Sequence, residues 1–205
     1  MGREEQIIDE RKRKIKELQA KGINPYSYKY EIKNYAFELQ KKYEKLKAGT
    51  QKADSVKIAG RLMNVRDLGK IIFGVVQDSS GKIQITLREK NTPEKVVGFF
   101  KKFVDIGDIV GVEGTILRTE RGELSVLVKE LQILTKSVLP LPEKWHGLKD
   151  KEERYRKRHL DLILNSEVRE VFRKRSEIIF ALREFLDKKG FVEVDTPVLQ
   201  PLYGG

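Results

Sequence analysis

Apolar residues recur along this chain with two different periods, and the change of period divides it. Over residues 3–21, Ile7, Ile8, Ile15 and Leu18 form a thin stripe at helical spacing in an otherwise charged segment. Glu4, Glu5, Asp9 and Glu10 precede Arg11-Lys12-Arg13-Lys14, the order that suits a helix dipole and i,i+4 pairing. Gly22 is placed to cap this helix, and Asn24-Pro25 turns the chain. Tyr35, Leu39, Tyr43 and Leu46 predict a second helix over 34–47, ended by Gly49.

From residue 55 the period drops to two. Ser55–Val65, Ile71–Gln77, Lys82–Arg88, Ile109–Leu117 and Leu124–Leu134 read as five short strands. Their turns fall at Gly69-Lys70, Ser79-Ser80-Gly81 and Glu120-Arg121-Gly122. Ile83, Ile85 and Leu87 alternate with Gln84, Thr86 and Arg88, the pattern of a half-buried strand. Between the third and fourth strands, Pro93–Phe103 carries Val96, Val97, Phe99, Phe100 and Phe103, a short amphipathic helix. Five strands with a helix between the third and fourth is the order of the OB-fold barrel, which commonly binds oligonucleotides across its second and third strands.

The helical period then returns. Ser137–Pro142 is a connector stiffened by Pro140 and Pro142. Asp150–Leu164 predicts one helix and 166–189 a longer one, capped by Ser166 and ended by Gly190, with Val168, Phe172, Arg175, Ile179, Leu182 and Leu186 near one face. Phe191–Leu199 reads as a strand, and Pro197 inside it restricts it to an edge or a bend. Val198, Leu199, Leu202 and Tyr203 have nothing after them to pack against, so this last part is expected to be the truncated start of a domain. The fold class is mainly β with helices: N-terminal helices, a five-stranded OB-fold barrel, then a helical segment.

Charge sharpens this picture. The 205 residues carry a formal net charge of +11, which suggests an anionic partner, most often nucleic acid. The excess is spread, with 13 Lys/Arg against 8 Asp/Glu in residues 1–50 and 14 against 10 in residues 55–140, so there is no separate basic tail. A solvated surface is the lesser reading of the charge; the Arg11–Lys14 run and Lys16 are either such a surface or a non-specific attractor of a phosphate backbone, whose binding would weaken steeply with salt. There is no cysteine and only two histidines, His146 and His159, so disulfides and thiolate metal sites are excluded and no metal site is expected. Both histidines are read as structural, and Trp145 as a buried anchor of the connector. No membrane-length apolar run and no signal-peptide pattern occurs, which fits a cytoplasmic protein.

Three stretches together resemble the class II lysyl-tRNA synthetases. Ile58-Ala59-Gly60-Arg61, Gly69 to Phe73, Gln77-Asp78 and Gly81 to Gln84 are similar to the anticodon-binding OB domain that this family shares with the aspartyl and asparaginyl enzymes. Leu139 to Leu148, followed by Glu153 to Leu162, resembles the lysyl hinge, with His146-Gly147-Leu148 favouring it over the aspartyl relatives. Lys189-Gly190-Phe191-Val192-Glu193-Val194-Asp195-Thr196-Pro197 resembles class II motif 1. The resemblance implies four parts: a helical extension at 1–50, the anticodon-binding barrel at 51–136, a hinge at 137–165 and the start of a catalytic domain at 166–205. The chain stops before motifs 2 and 3, which in the family hold ATP and the activated amino acid. Arg169-Glu170 and Arg183-Glu184 lie in predicted helices and do not replace them, and Gly111-Val112-Glu113-Gly114 is a barrel-strand pattern. ATP and magnesium are therefore expected for the whole family enzyme and no cofactor for this chain, which is expected to be inactive alone, with no catalytic residues in it.

The resemblance implies a partner, the U-rich lysine anticodon stem-loop, and candidate contacts. Single-stranded bases are read by stacking on aromatics and by hydrogen bonds to their edges. Phe73 matches the family's stacking aromatic, yet its strand is apolar on both sides and periodicity alone leaves it core or surface. Gln84 points away from Ile83 and Ile85; it is a surface glutamine or a base contact. Glu123, after the Arg121-Gly122 turn, is a turn acid or an acceptor for a base N–H. Arg66 ends the first strand and is either solvated or in contact with base or phosphate; Lys70 is a weaker candidate. Motif 1 implies a homodimer interface containing Gly190, Phe191 and Pro197, with a monomer or weak dimer expected for this chain. Alternatives are a stand-alone OB-fold RNA-binding module, an aspartyl- or asparaginyl-type fragment, and a partner-binding fragment docking through its first helix.

Overall fold

The computed structural model describes residues 2–142 and 150–199. Trp145, His146, Leu202 and Tyr203 lie outside these residues, as does the His146-Gly147-Leu148 signature. The chain divides into two compact units, Met1–Leu141 and Pro142–Gly205.

In the first unit the alternating segments become β1 (Gln51–Asp67), β2 (Ile71–Gln77), β3 (Lys82–Arg88), β4 (Ile109–Arg118) and β5 (Leu124–Thr135), with α3 (Glu94–Phe103) between β3 and β4. They close into a barrel in the order β1-β2-β3-β5-β4. β1 reaches further than its predicted 55–65 because it serves two edges. Gln51–Arg61 pairs with β4, Arg61–Asp67 pairs with β2, and a register shift between Leu62 and Asn64 bends the strand from one to the other. The parallel pairing of β3 with β5 completes the closure.

Alternation decides what lies inside. Ile72 and Val76 of β2, and Ile83, Ile85 and Leu87 of β3, are at most 3% exposed. Gly74 also faces in. A Cβ there would sit 2.9 Å from Ile85 and 3.0 Å from Leu62, so the two larger side chains use its space. α3 joins the same core through Val96, Phe100 and Phe103.

Two N-terminal helices pack on this barrel. α1 (Arg3–Ala20) buries Leu18 and ends at Gly22, whose φ of +72° is a left-handed conformation that glycine adopts without strain. α2 spans only Ala36–Lys42, shorter than 34–47. The Arg118 guanidinium shortens it by donating to the carbonyls of Tyr43 (2.7 Å) and Glu44 (3.3 Å), groups a longer helix would use internally. Gly49 therefore lies in a later turn (φ +74°), beyond the helix end.

The Arg11–Lys14 run is not one solvated face. Arg11 is 7% exposed and donates to the carbonyls of Ile106, Ser137 and Leu139 at 2.9–3.1 Å. Lys14 pairs with Asp105 at 2.8 Å. Beneath them the fully buried Lys136 ammonium bonds Asp105 and Asp108, and Asp108 also accepts from the Asp105 and Ser137 amides, both at 2.8 Å. Lys12, Arg13 and Lys16 remain exposed.

The second unit holds α4 (Lys151–Arg156), α5 (Arg158–Leu164) and α6 (Ser166–Lys188). The single helix expected over 150–164 breaks at Lys157. In a straight helix, residues seven apart are separated by about 10 Å along the axis. The break brings Arg154 Nε to 3.0 Å from Asp161, which also receives Arg158 and the Asn165 amide (2.6 Å). Ser166 is the first helical residue and not the cap; Asn165 holds that position, and its side chain is spent on Asp161. Residues 191–199 form no strand: they are exposed and have no ladder partner among the described residues, so the alternating pattern has no sheet to join, although Glu193 pairs with Arg183 of α6 at 2.9 Å. No described helix is long and apolar enough to cross a membrane.

Candidate nucleic-acid interface

The outer face of β1, β2 and β3 carries a groove assembled by strand register. On β2 the residues opposite in facing to Ile72, Gly74 and Val76 are Ile71, Phe73 and Val75, all half-buried. Arg66 of β1 pairs directly with Phe73, and Asn64 with Val75. Across the other edge, Thr86 pairs with Phe73, Gln84 with Val75, and Arg88 with Ile71. Directly opposed residues of an antiparallel pair project on the same side within contact range. The Phe73 ring is therefore flanked by a guanidinium on one side and by β3 on the other. Its facing, undecided by periodicity, is outward.

The turn between β4 and β5 closes the far wall. The Thr119 amide donates to the Glu123 carbonyl across it (2.9 Å), and Gly122 takes φ +86°, which a β-carbon would strain. The Arg118 guanidinium donates to the Gly122 carbonyl at 2.7 Å while also holding the end of α2, so the turn carrying Glu123 is braced.

Together Arg66, Phe73, Gln84 and Glu123 line one cleft of about 550 Å³, with Asn64, Leu68, Ile71, Val75, Arg88, Thr119, Glu120 and Arg121. Three arginines and two glutamates make its rim net positive. The polar groups are left available. The Gln84 Oε1 and Arg88 Nε atoms are buried without a partner among the described residues. A buried acceptor or donor left unmade is costly, and Arg118 Nε is in the same condition, so all three atoms call for a water or a ligand to complete their bonding. Glu123 is exposed, and its hydrogen bonds among the described residues are made by its backbone, the amide to Thr119 Oγ1 and the carbonyl from the Thr119 amide.

Arg88 was not singled out by sequence reasoning, although its alternation with Gln84 on β3 puts both on one face. Asn64 and Arg121 left no such signal, since the β1–β2 register and the turn's approach are tertiary. Lys70 is exposed but lines a different depression, beside α3. Gly190 lies just past α6 with φ +84°, and Phe191 and Pro197 follow in the exposed irregular segment; none of the three contributes to this cleft.

A second, larger depression of about 910 Å³ shares Val75, Gln84 and Glu123 with the first and runs toward α2. No described group of three or more His, Asp or Glu side chains is placed to hold a metal ion.

Comparison with known proteins agrees with this layout. Residues 56–134 match the family described as OB-fold nucleic acid binding domain, and residues 150–205 match class II tRNA synthetases (D, K and N). The chain is similar to the lysine–tRNA ligase of Thermosynechococcus vestitus, 50% identical over 197 residues, which is 94% of this chain and 39% of that protein. It is 46% identical to the lysine–tRNA ligase of Nostoc sp. (98% of this chain, 37% of that one). The lysine–tRNA ligase of Carboxydothermus hydrogenoformans is 48% identical over 98% of this chain and 40% of its own length. The chain thus spans about two fifths of the length of the relatives it matches.

Proposed function

This chain belongs to the class II lysine–tRNA ligase family, and we propose that its barrel reads the unpaired uridines of a lysine anticodon. The observation that carries the reading is the convergence of Arg66, Phe73, Gln84 and Glu123 on one cleft. A uracil base offers one N–H donor and two carbonyl acceptors. In the proposed complex Phe73 stacks a base, with the Arg66 guanidinium beside it. The Gln84 amide accepts from one base edge and donates to it, and the Glu123 carboxylate takes an N–H. A carboxylate on a net positive rim repels phosphate but accepts from a base, which turns backbone attraction into base selection.

The whole enzyme's chemistry is part of the same proposal. Lysine and ATP, with magnesium neutralising the phosphates, would yield lysyl-adenylate and pyrophosphate, and the lysyl group would pass to the tRNA 3′ end in a cytoplasmic reaction. No described residue of this chain is assigned to those steps. The exposed apolar face of α6 and the segment containing Gly190, Phe191 and Pro197 is proposed to pair with a second copy in the whole enzyme.

The test is a titration of the protein with anticodon stem-loops carrying UUU, GUC and GUU. Tight binding of UUU alone is expected. Phe73→Ala should lose roughly 1–3 kcal/mol of that binding. Unchanged affinity in a folded Phe73→Ala protein refutes the stacking role. Equal binding of all three loops favours a general RNA-binding module, and preference for GUC or GUU favours an aspartyl or asparaginyl type.

A further inference from the structure

We infer that Phe37 on α2 is a second stacking platform, which takes the nucleotide flanking the uridine held by Phe73. The inference rests on the anticodon reading above and extends its binding site. The larger depression continues the Phe73 cleft without a break, because Val75, Gln84 and Glu123 line both. Its outer wall is α2, where Phe37 is 59% exposed in the first turn and faces the groove. A large aromatic left in water beside a nucleic-acid cleft has a base as its natural cover, since every base has an apolar π-face.

The helix carrying that ring is held firmly. α2 has no cap of its own at Tyr35. The β2–β3 turn supplies one: Asp78 accepts from the Ala36 amide at 2.7 Å, and Ser80 Oγ accepts from the Phe37 amide at 3.0 Å. Asp78 also accepts from Ser80 and Gly81 within its own turn, so one carboxylate fixes turn and helix together. Gln40 donates to the Lys82 carbonyl at 2.6 Å, and Arg118 holds the helix end. A stacking surface loses least entropy on binding when it is already fixed.

The chemistry beside Phe37 is that of a nucleotide. Lys41 and Lys82 line the depression with no ion pair among the described residues, and both are exposed. Among the described residues, Glu44 is the only acid of this depression not shared with the first cleft. Two free cations beside an aromatic give a phosphate contact next to a base platform. At about 910 Å³ the depression is large enough to admit a nucleotide with its flanking phosphate.

The experiment measures binding of the full chain to the UUU stem-loop and to versions with one loop base at a time replaced by an abasic site. Phe37→Ala should weaken binding of the intact loop roughly 5- to 100-fold. That loss should vanish on one abasic loop only, the one lacking the base next to the uridine whose removal silences Phe73→Ala. Lys41→Ala and Lys82→Ala should each reduce the salt slope of binding by about one. If Phe73→Ala weakens binding and Phe37→Ala does not, the second platform is refuted and the first stands. If neither weakens it, the anticodon reading itself fails. A Phe37→Ala loss that is the same on every abasic loop places the effect in the protein's own structure and also overturns the inference.

Discussion

The barrel and α6 carry equally regular apolar patterns, and they meet opposite fates. In the barrel, Ile85, Leu62, Val112 and Ile116 have no exposed surface. In α6, Val171, Ile178, Phe180 and Phe185 are 58–68% exposed. A periodic stripe specifies which side of an element is apolar; burial requires a second surface with the matching period. The barrel supplies its own second surface by closing on itself. Among the described residues, α6 meets α5 through its first turns only, with Arg169 donating to the Leu162 and Ile163 carbonyls, and the rest of its apolar face has none. The ion pairs divide in the same way: Lys136 is sealed between Asp105 and Asp108, whereas Lys188 and Glu184 pair at 2.8 Å in the open.

That contrast predicts a large difference in cost. Lys136→Met keeps most of the side-chain volume and removes the charge, leaving buried Asp108 without a cation and Asp105 with Lys14 alone. Breaking a buried pair from one side costs about 3–5 kcal/mol. Lys188→Met breaks an exposed i,i+4 pair and should cost about 0.5 kcal/mol or less. Denaturant unfolding of both variants measures the gap. Similar losses in the two would show that the buried lock contributes no more than a surface pair.

The apolar version is next in size. Ile85→Ala empties a sealed site and should cost about 2–5 kcal/mol. Phe180→Ala removes a larger but exposed ring and should stay within about 0.5 kcal/mol. A multi-kcal/mol loss at Phe180 would mean that the α6 face is covered in solution, and its concentration dependence would identify a second copy as the cover. Sedimentation of this chain should give a monomer or a weak dimer.

How much of this was legible in the sequence follows the same division. Strands β2 and β3 were read to the residue, because their turns are marked by Gly69 and Gly81 and their alternation is strict on β3. Gln84's outward facing followed from that alternation alone. Phe73's did not, because β2 is apolar on both sides; Gly74's crowding against Ile85 and Leu62 shows which side is full. The pairing of Arg66 with Phe73 depends on a bulge in β1 that no local pattern marks. Arg11 was misread for a related reason. Its neighbours Lys12 and Arg13 are exposed, and nothing in a run of four basic residues says that one meets three carbonyls. The missing strand at 191–199 had a correct local pattern and no ladder to join. α2 was overextended because its true ends are set by Asp78 and Arg118, about 40 and 75 residues away in sequence.

The smallest effect concerns acid, and it separates the two units by sign. Burial alone would raise the Asp161 carboxyl, but the Asn165 amide and the Arg154 and Arg158 guanidiniums outweigh it and hold it below its ordinary value of 3.8. Its contribution to stability is then complete at neutral pH and is lost as pH falls through the depressed value. In the barrel lock two carboxyls oppose one another. Asp105 is opposed by burial too, yet Lys136 and Lys14 hold it low, so its contribution is also lost in acid. Burial pushes Asp108 up despite Lys136, so its contribution is present below 3.8 and lost as pH rises through the raised value. Acidification therefore removes one contribution from the barrel and returns another, while the α4–α5 junction only loses. Amide hydrogen exchange of residues 154–165 should show the junction opening faster in Asp161→Asn than in the unmodified chain at pH 7. The two should converge only as the pH falls through the depressed value, below 3.8, while the Lys136 region changes less over the same interval. A junction whose exchange is insensitive to Asp161→Asn at pH 7 would mean that the break at Lys157 is held by packing, and that the three donors around Asp161 only follow it.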